Sequence, residues 1–235
     1  MRKALVTGGG RGIGESICRA LSREGWYVYI HCGKSLDEAK ALADELGNAE
    51  VIQADLASPD AVNIIADKCG DVELLVNNAG VSLVSLFDCV SDEAMRRMFE
   101  INLFAPMNLA RRLLPNMIKQ KKGNIINISS IFGSVGGSCE VDYSAAKAAM
   151  IGFTKALSKE VGPSGVRVNC VCPGIIDTEM NDDLSFDDIE ALSDEVPLER
   201  IGEPKEVAEC VAFLASDKSS YITGAVFDVN GGWQG

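Results

Sequence analysis

The stretch Tyr143-Ser144-Ala145-Ala146-Lys147, with Ser130 upstream, carries side chains whose types and spacing suit proton chemistry. Residues 142–161 read as one long helix, and positions four apart on a helix share a face, one turn from each other. Tyr143 and Lys147 are therefore predicted to lie side by side. A phenol titrates near about 10, too high for a general base at neutral pH, and an adjacent ammonium favours the phenolate and draws that value down. Ser130 closes the strand before this helix, where its hydroxyl can hold a carbonyl or alcohol oxygen against the phenol. Such a unit moves a proton on and off an oxygen. Tyr and Lys at this spacing are common on surface helices, so the weight of the reading comes from the elements around them.

The first of these elements opens the chain. Residues 2–7 form a short apolar run ending in Thr7, followed by Gly8-Gly9-Gly10-Arg11-Gly12-Ile13-Gly14 and a helical pattern to about Glu24. Strand, glycine turn and helix in that order is the setting a nucleotide-binding glycine motif requires. Gly8 permits the turn, Gly12 lets backbone approach a pyrophosphate, and Gly14 lets the helix pack on the strand. The helix N-terminus offers free N–H groups and the positive end of its dipole to phosphates. Gly8, Arg11, Gly12, Ile13 and Gly14 are accordingly candidate cofactor contacts.

This Thr-Gly-x-x-x-Gly-x-Gly form, with Tyr-x-x-x-Lys and the upstream serine, resembles the short-chain dehydrogenase/reductase family over essentially the whole chain. Ser130 precedes Tyr143 by the separation typical of that family. The resemblance implies that Asp55 and Leu56, after the third strand, lie against an adenine. It matches Asn77-Asn78-Ala79-Gly80 to the family's Asn-Asn-Ala-Gly element, so Asn78, Ala79 and Gly80 border the cofactor. It gives Asn102, otherwise an unfavourable mid-helix asparagine, the role of holding a water for a proton relay through Lys147. It also implies that Pro173, Gly174, Ile176 and Thr178 lock the nicotinamide, and that Tyr143 and Lys147 touch the cofactor as well as the substrate.

Between these motifs the pattern alternates strands with helices. Strands are expected at residues 27–31, 51–54, 73–77, 124–129, 166–171 and 225–229. Ser58 is predicted to cap a helix with Pro59 in its first turn, and Ser91 to cap a long helix running through Asn102. Residues 181–195 read as an acidic, weakly helical lid over the substrate. The fold class expected is α/β: a single Rossmann-type, doubly wound parallel sheet of about seven strands flanked by helices on both faces, one domain over residues 1–235. The helix bearing Tyr143 is small or apolar nearly all round, which implies burial on more than one side. The family resemblance implies a four-helix dimer seam there and a homotetramer.

In an NAD-binding Rossmann unit an acidic residue about 20 residues past the glycines grips the ribose 2′-OH. Here those positions are His31, Cys32, Gly33 and Lys34, with no carboxylate before Asp37. Arg11 and Lys34 suit a 2′-phosphate, so NADP(H) is expected in preference to NAD(H). The net charge of −12 disfavours nucleic acid and anionic membranes. No apolar run reaches the ~18 residues of a membrane span, and the chain enters an apolar strand at Ala4-Leu5-Val6 without the parts of a signal peptide; a cytoplasmic protein is expected. Eight scattered cysteines without a CxxC pair, and a single histidine, predict buried reduced thiols and no metal site.

The overall pattern is most similar to the 3-oxoacyl-[acyl-carrier-protein] reductases of the family, which implies NADPH-dependent reduction of a carrier-linked 3-oxoacyl thioester in fatty acid synthesis. One departure concerns the carrier. Two arginines that some members use to dock it fall at Asn124 and Ser164, with Lys119, Lys121 and Lys122 nearby. Acyl-CoA, a keto ester, a sugar or a steroid are alternative substrates, and a non-catalytic NADP-binding regulator or a Rossmann-like methyltransferase are alternative classes.

Overall fold

The computed structural model describes residues 1–179 and 185–234. Its elements run β1 (Lys3–Val6), α1 (Gly12–Arg23), β2 (Tyr27–Cys32), α2 (Leu36–Leu46), β3 (Ala49–Gln53), α3 (Ala61–Cys69), β4 (Leu74–Asn77), α4 (Asp92–Phe99), α5 (Ala105–Gln120) and β5 (Gly123–Ile128). They continue with α6 (Phe132–Val135), α7 (Val141–Val161), β6 (Val166–Pro173), α8 (Phe186–Glu195), α9 (Pro204–Ala215) and β7 (Val226–Val229). The seven strands form one sheet in the order β3-β2-β1-β4-β5-β6-β7, and every neighbouring pair is parallel. This is the expected doubly wound Rossmann-type arrangement.

The order reverses between β1 and β4, and in such sheets ligands sit outside the carboxyl ends of the strands at that switch point. The loops after β1, β4 and β5 carry the glycine motif, the Asn78–Gly80 turn and Ser130, so the topology alone brings them to one edge. Continuous apolar strands make this possible, because both faces of β1, β4 and β5 are buried. One core cluster lies between the sheet and α1, α2 and α9, around Ile17, Leu21, Ile30, Val76 and Leu214. The other lies beneath α3 and α5, around Leu5, Ile65, Leu109, Met117 and Ile125.

Three local expectations change. The helix predicted to start at Ser58 starts at Ala61 with Asp60 as its N-cap; the Ser58 and Ala61 N–H groups close successive turns onto the Asp55 and Ser58 carbonyls instead (2.7 and 3.1 Å). The long helix through Asn102 is interrupted. Ser91 caps α4 as expected, but residues Glu100–Phe104 form a π-helical turn before α5. The cysteines are reduced, with Cys18, Cys32, Cys69, Cys170 and Cys172 buried, whereas Cys89 is exposed. Of the expected lid, residues 181–184 lie outside the described residues, and the remainder forms α8, closed at its start by a Ser185/Asp188 capping box. Among the described residues no helix is long and apolar enough to cross a membrane.

Candidate active site

Ser130 follows β5, and Tyr143 and Lys147 occupy the first turns of α7. The Ser130 Oγ accepts from the Phe132 N–H (3.2 Å) and is hydrogen-bonded to the Tyr143 phenol. Lys147 is 3% exposed. Its Nζ donates to the Ile128 carbonyl (3.0 Å) and lies over the Tyr143 ring, 5.5 Å from its centroid. The Lys147 carbonyl in turn accepts from Ser129 Oγ (2.8 Å). One residue of α7 is thus tied to the end of β5 through both side chain and backbone, which fixes the helix's rotation about the sheet edge.

The electrostatics differ from the expectation drawn from spacing. Burial pushes the Tyr143 phenol up to about 12; the Ser130 hydrogen bond opposes this and the Glu140 carboxylate adds to it. Burial brings Lys147 down to about 8. Helical spacing places both groups on one face, but with the ammonium held by Ile128 the dominant effect on each is loss of water.

Asn102 comes from the π turn. A π turn inserts one residue into the helical register, and such turns are frequent at functional sites. Here it delivers a buried side chain, 1% exposed, to the loop after β4. Asn102 Oδ1 accepts from the Val81 N–H (2.9 Å) and Nδ2 donates to the Val81 carbonyl (2.7 Å). A Cβ placed on Gly80 would lie 3.1 Å from Asn102 Oδ1 and 3.3 Å from Lys147 Nζ. Asn102 and Lys147 therefore flank the same glycine, and their two polar ends approach each other across the missing side chain.

The glycine loop fits a dinucleotide. Arg11 is the N-cap of α1 without a side-chain cap bond, which leaves first-turn N–H groups available to phosphate. Gly14 must be glycine, since a Cβ there would sit 2.0 Å from the Gly8 carbonyl. Gly12 has φ +53° and faces Thr178, whose methyl would be 3.4 Å from a Cβ at Gly12, so the Pro173–Thr178 stretch crosses the loop. Gly174 is pressed on Asn230, and Ile176 is 4% exposed and bridges to Gly202. Asn78 lies across from the loop: its Nδ2 donates to the carbonyls of Thr7 (3.0 Å) and Gly8 (3.1 Å). Ala79 packs against Gly8.

Other predicted contacts are engaged differently. Arg11 pairs with Glu179 at 2.5 Å on the surface. Lys34 is exposed at the end of β2. Asp55 accepts from the Ala57 N–H (3.0 Å) and from Arg97 (3.0 Å). Leu56 is turned into the core, so contact with a base there falls to Asp55 and to backbone. Two supporting residues escaped the sequence reading. Thr7 Oγ1 accepts from the N–H groups of both Asn78 and Ala79 (3.0 Å each), and Arg97 orients Asp55. Thr7 had a signal, a hydroxyl at the strand end beside the glycines; Arg97 had none, because its partner is 42 residues away.

A seven-stranded Rossmann-type sheet with this cluster at its switch edge defines a nucleotide-dependent oxidoreductase class. The sequence profile of the short chain dehydrogenase family matches residues 2–188, and the chain belongs to that family. It is 40% identical to the uncharacterized oxidoreductase YmfI of Bacillus subtilis, over 99% of this chain and 98% of that protein. It is 38% identical to the 3-oxoacyl-[acyl-carrier-protein] reductase FabG of Staphylococcus epidermidis, over 98% of each. The crystal structure of 3-oxoacyl-[acyl-carrier protein] reductase from Brucella melitensis superposes with a TM-score of 0.94 at 33% identity, covering 100% of this chain and 91% of that one.

Proposed function

We propose that this oxidoreductase is an NADPH-dependent carbonyl reductase that converts a 3-oxoacyl thioester, linked to an acyl carrier protein, to the 3-hydroxyacyl thioester in fatty acid synthesis. The observation that carries the reading is the convergence of Ser130, Tyr143, Lys147 and Asn102 beside a glycine loop shaped for a dinucleotide. The reductases of that name among the relatives support the substrate class.

A bound reduced nicotinamide supplies the hydride. Ser130 and Tyr143 hold the carbonyl oxygen, and Tyr143, a neutral phenol at working pH, gives up its proton to that oxygen as negative charge develops there. Lys147 keeps a positive charge beneath the phenol and would hold the nicotinamide ribose of a bound cofactor. Asn102, anchored on Val81, orients a water that returns the proton through Lys147. Gly8, Gly12, Ile13, Gly14, Asn78, Ala79, Gly80, Pro173, Gly174, Ile176 and Thr178 would enclose the dinucleotide, with Asp55 and the backbone of Leu56 at the adenine.

Lys34 and Arg11 favour a 2′-phosphate, since β2 ends without a carboxylate. The Arg11–Glu179 pair is exposed on both sides, and such pairs contribute about 0–1 kcal/mol, so Arg11 is readily exchanged to a phosphate. The assembly proposed is a homotetramer in the cytoplasm.

One observation favours a second reading, in which the substrate is a CoA thioester or another ketone. Asn124, at a carrier-docking position of some family members, is 6% exposed and donates to the Leu214 carbonyl (2.7 Å). The nearby Lys122 is paired with Glu73 at 2.6 Å. A basic patch for an acidic carrier is thus partly neutralised at this spot.

The test is NADPH oxidation with acetoacetyl-CoA and with a carrier-linked 3-oxoacyl substrate, comparing wild type with Tyr143→Phe. Turnover that the substitution lowers by roughly 10²–10⁴ supports the reductase, and the preferred thioester separates the two readings. NADPH binding without turnover of either thioester would overturn the fatty-acid assignment, and equal use of NADH would overturn the roles of Arg11 and Lys34.

A further inference from the structure

His31 is the chain's one histidine, is 2% exposed, and takes no part in the proton chemistry above. It stands at the carboxyl end of β2, the strand whose end borders the ribose in this class of fold. Three bonds converge on it. Its carbonyl accepts from the Gly9 N–H (2.8 Å), its ring Nδ1 accepts from the Gly8 N–H (3.2 Å), and its Nε2 lies 3.0 Å from the Ala54 carbonyl.

These partners dictate the state of the ring. A backbone N–H can only donate, so Nδ1 is the bare nitrogen; a carbonyl can only accept, so Nε2 carries the hydrogen. Two successive N–H groups of the glycine loop are thereby drawn onto one residue, with Gly8 in the left-handed region at φ +63°. The same ring reaches the end of β3, just before Asp55 and Leu56. One neutral side chain spans the glycine turn, β2 and β3, the three segments that border the adenosine half of a dinucleotide.

We propose that His31 is a positioning residue for the cofactor, bracing the Gly8–Gly9 turn against the end of β3 so that the first N–H groups of α1 are already arranged for the pyrophosphate. This rests on the reading that a nicotinamide dinucleotide binds at the glycine loop. A protonated ring would point a hydrogen from Nδ1 at the Gly8 N–H and break the brace. Burial opposes that, holding the imidazole at about 4, with Asp55 at the end of β3 as the charged neighbour acting in the other direction.

Because there is one histidine, its ring can be observed alone. In the full chain labelled with ¹⁵N-histidine, long-range proton–nitrogen spectra should show Nε2 protonated and Nδ1 bare, unchanged between about pH 8 and pH 5. An Nδ1–H tautomer, or titration near the ordinary ~6.5, would overturn the brace. His31→Phe keeps the bulk and removes the acceptor. It should weaken NADPH binding, read by cofactor fluorescence, by roughly tenfold, raising the KM for NADPH while kcat at saturating cofactor and the KM for the carbonyl substrate stay within about twofold. Unchanged NADPH affinity, or a parallel fall in every kinetic constant, would overturn a positioning role. A wild-type chain that binds neither NADPH nor NADH would remove the cofactor reading and the proposal with it. Loss of the expected tautomer in a chain that does bind cofactor removes the brace alone.

Discussion

At Tyr143 burial and hydrogen bonding oppose each other, and their balance sets the direction in which the site works best. With the phenol pushed to about 12 and the Ser130 bond insufficient to offset that, the group is a proton donor throughout the neutral range. Lys147, brought down to about 8, loses its charge as the solution becomes alkaline, so the cation that would favour a phenolate fades where one would otherwise appear. Reduction consumes the protonated phenol and should be flat from about pH 6 to 8, whereas oxidation of the alcohol product needs the phenolate. Its rate should climb nearly tenfold per pH unit over the same range. Initial rates in both directions across that range check this. An oxidation profile already level below about pH 8 would mean that the complex lowers the phenol after all, as the helical spacing with Lys147 led one to expect.

Scaling up to elements, the π turn between α4 and α5 is the device that turns a helical asparagine into a site residue. Its two part-buried bonds to Val81 satisfy backbone groups that have no strand to pair with, and each such hydrogen bond contributes about 0.5–1.5 kcal/mol net. Asn102→Leu, of similar shape, should therefore lower unfolding free energy by roughly 1–3 kcal/mol in urea titration. Equal urea midpoints for wild type and Asn102→Leu would sink this account. Asn102 also shows where sequence reasoning stops. The strands, their parallel order and the glycine loop were legible because periodicity and local turn chemistry encode them, and Tyr143 and Lys147 because helix geometry relates them. The π turn was not legible, since its residues read as ordinary helix and only the Val81 loop accounts for the inserted residue. Likewise Ser58 and Pro59 carry a sound local capping signal, yet the turn onto Asp55 delays α3 to Ala61. The Thr7, Arg97 and His31 contacts join residues distant in sequence, and no local pattern announces them.

For the whole molecule the telling residue is Gly152, in the interior of the 21-residue α7. A glycine within a helix costs about 1 kcal/mol relative to alanine. Among the described residues nothing requires it, because a Cβ at Gly152 would meet no atom within 4 Å. It lies on an outward stripe with Ala145, Ala148 and Ala156, all exposed, on the same helix whose inner face carries Tyr143 and Lys147. Small residues in such a row allow a second helix to approach closely, and the homotetramer proposed above would use them to pack α7 on its symmetry mate. An isologous contact repeats each substitution twice at the seam, which makes a bulky change there especially disruptive. Gly152→Glu should leave the fold intact, as its space within the chain is open, but shift sedimentation velocity from a multimer to smaller species at micromolar concentration. Because α7 also holds Lys147 against Ile128, the dissociated enzyme should lose turnover more than it loses helical circular dichroism. A wild type that sediments as a monomer would remove the seam. Gly152→Ala would then behave as an ordinary exposed helix substitution, raising stability by about 1 kcal/mol, whereas at a close helix contact the added methyl groups would lower it.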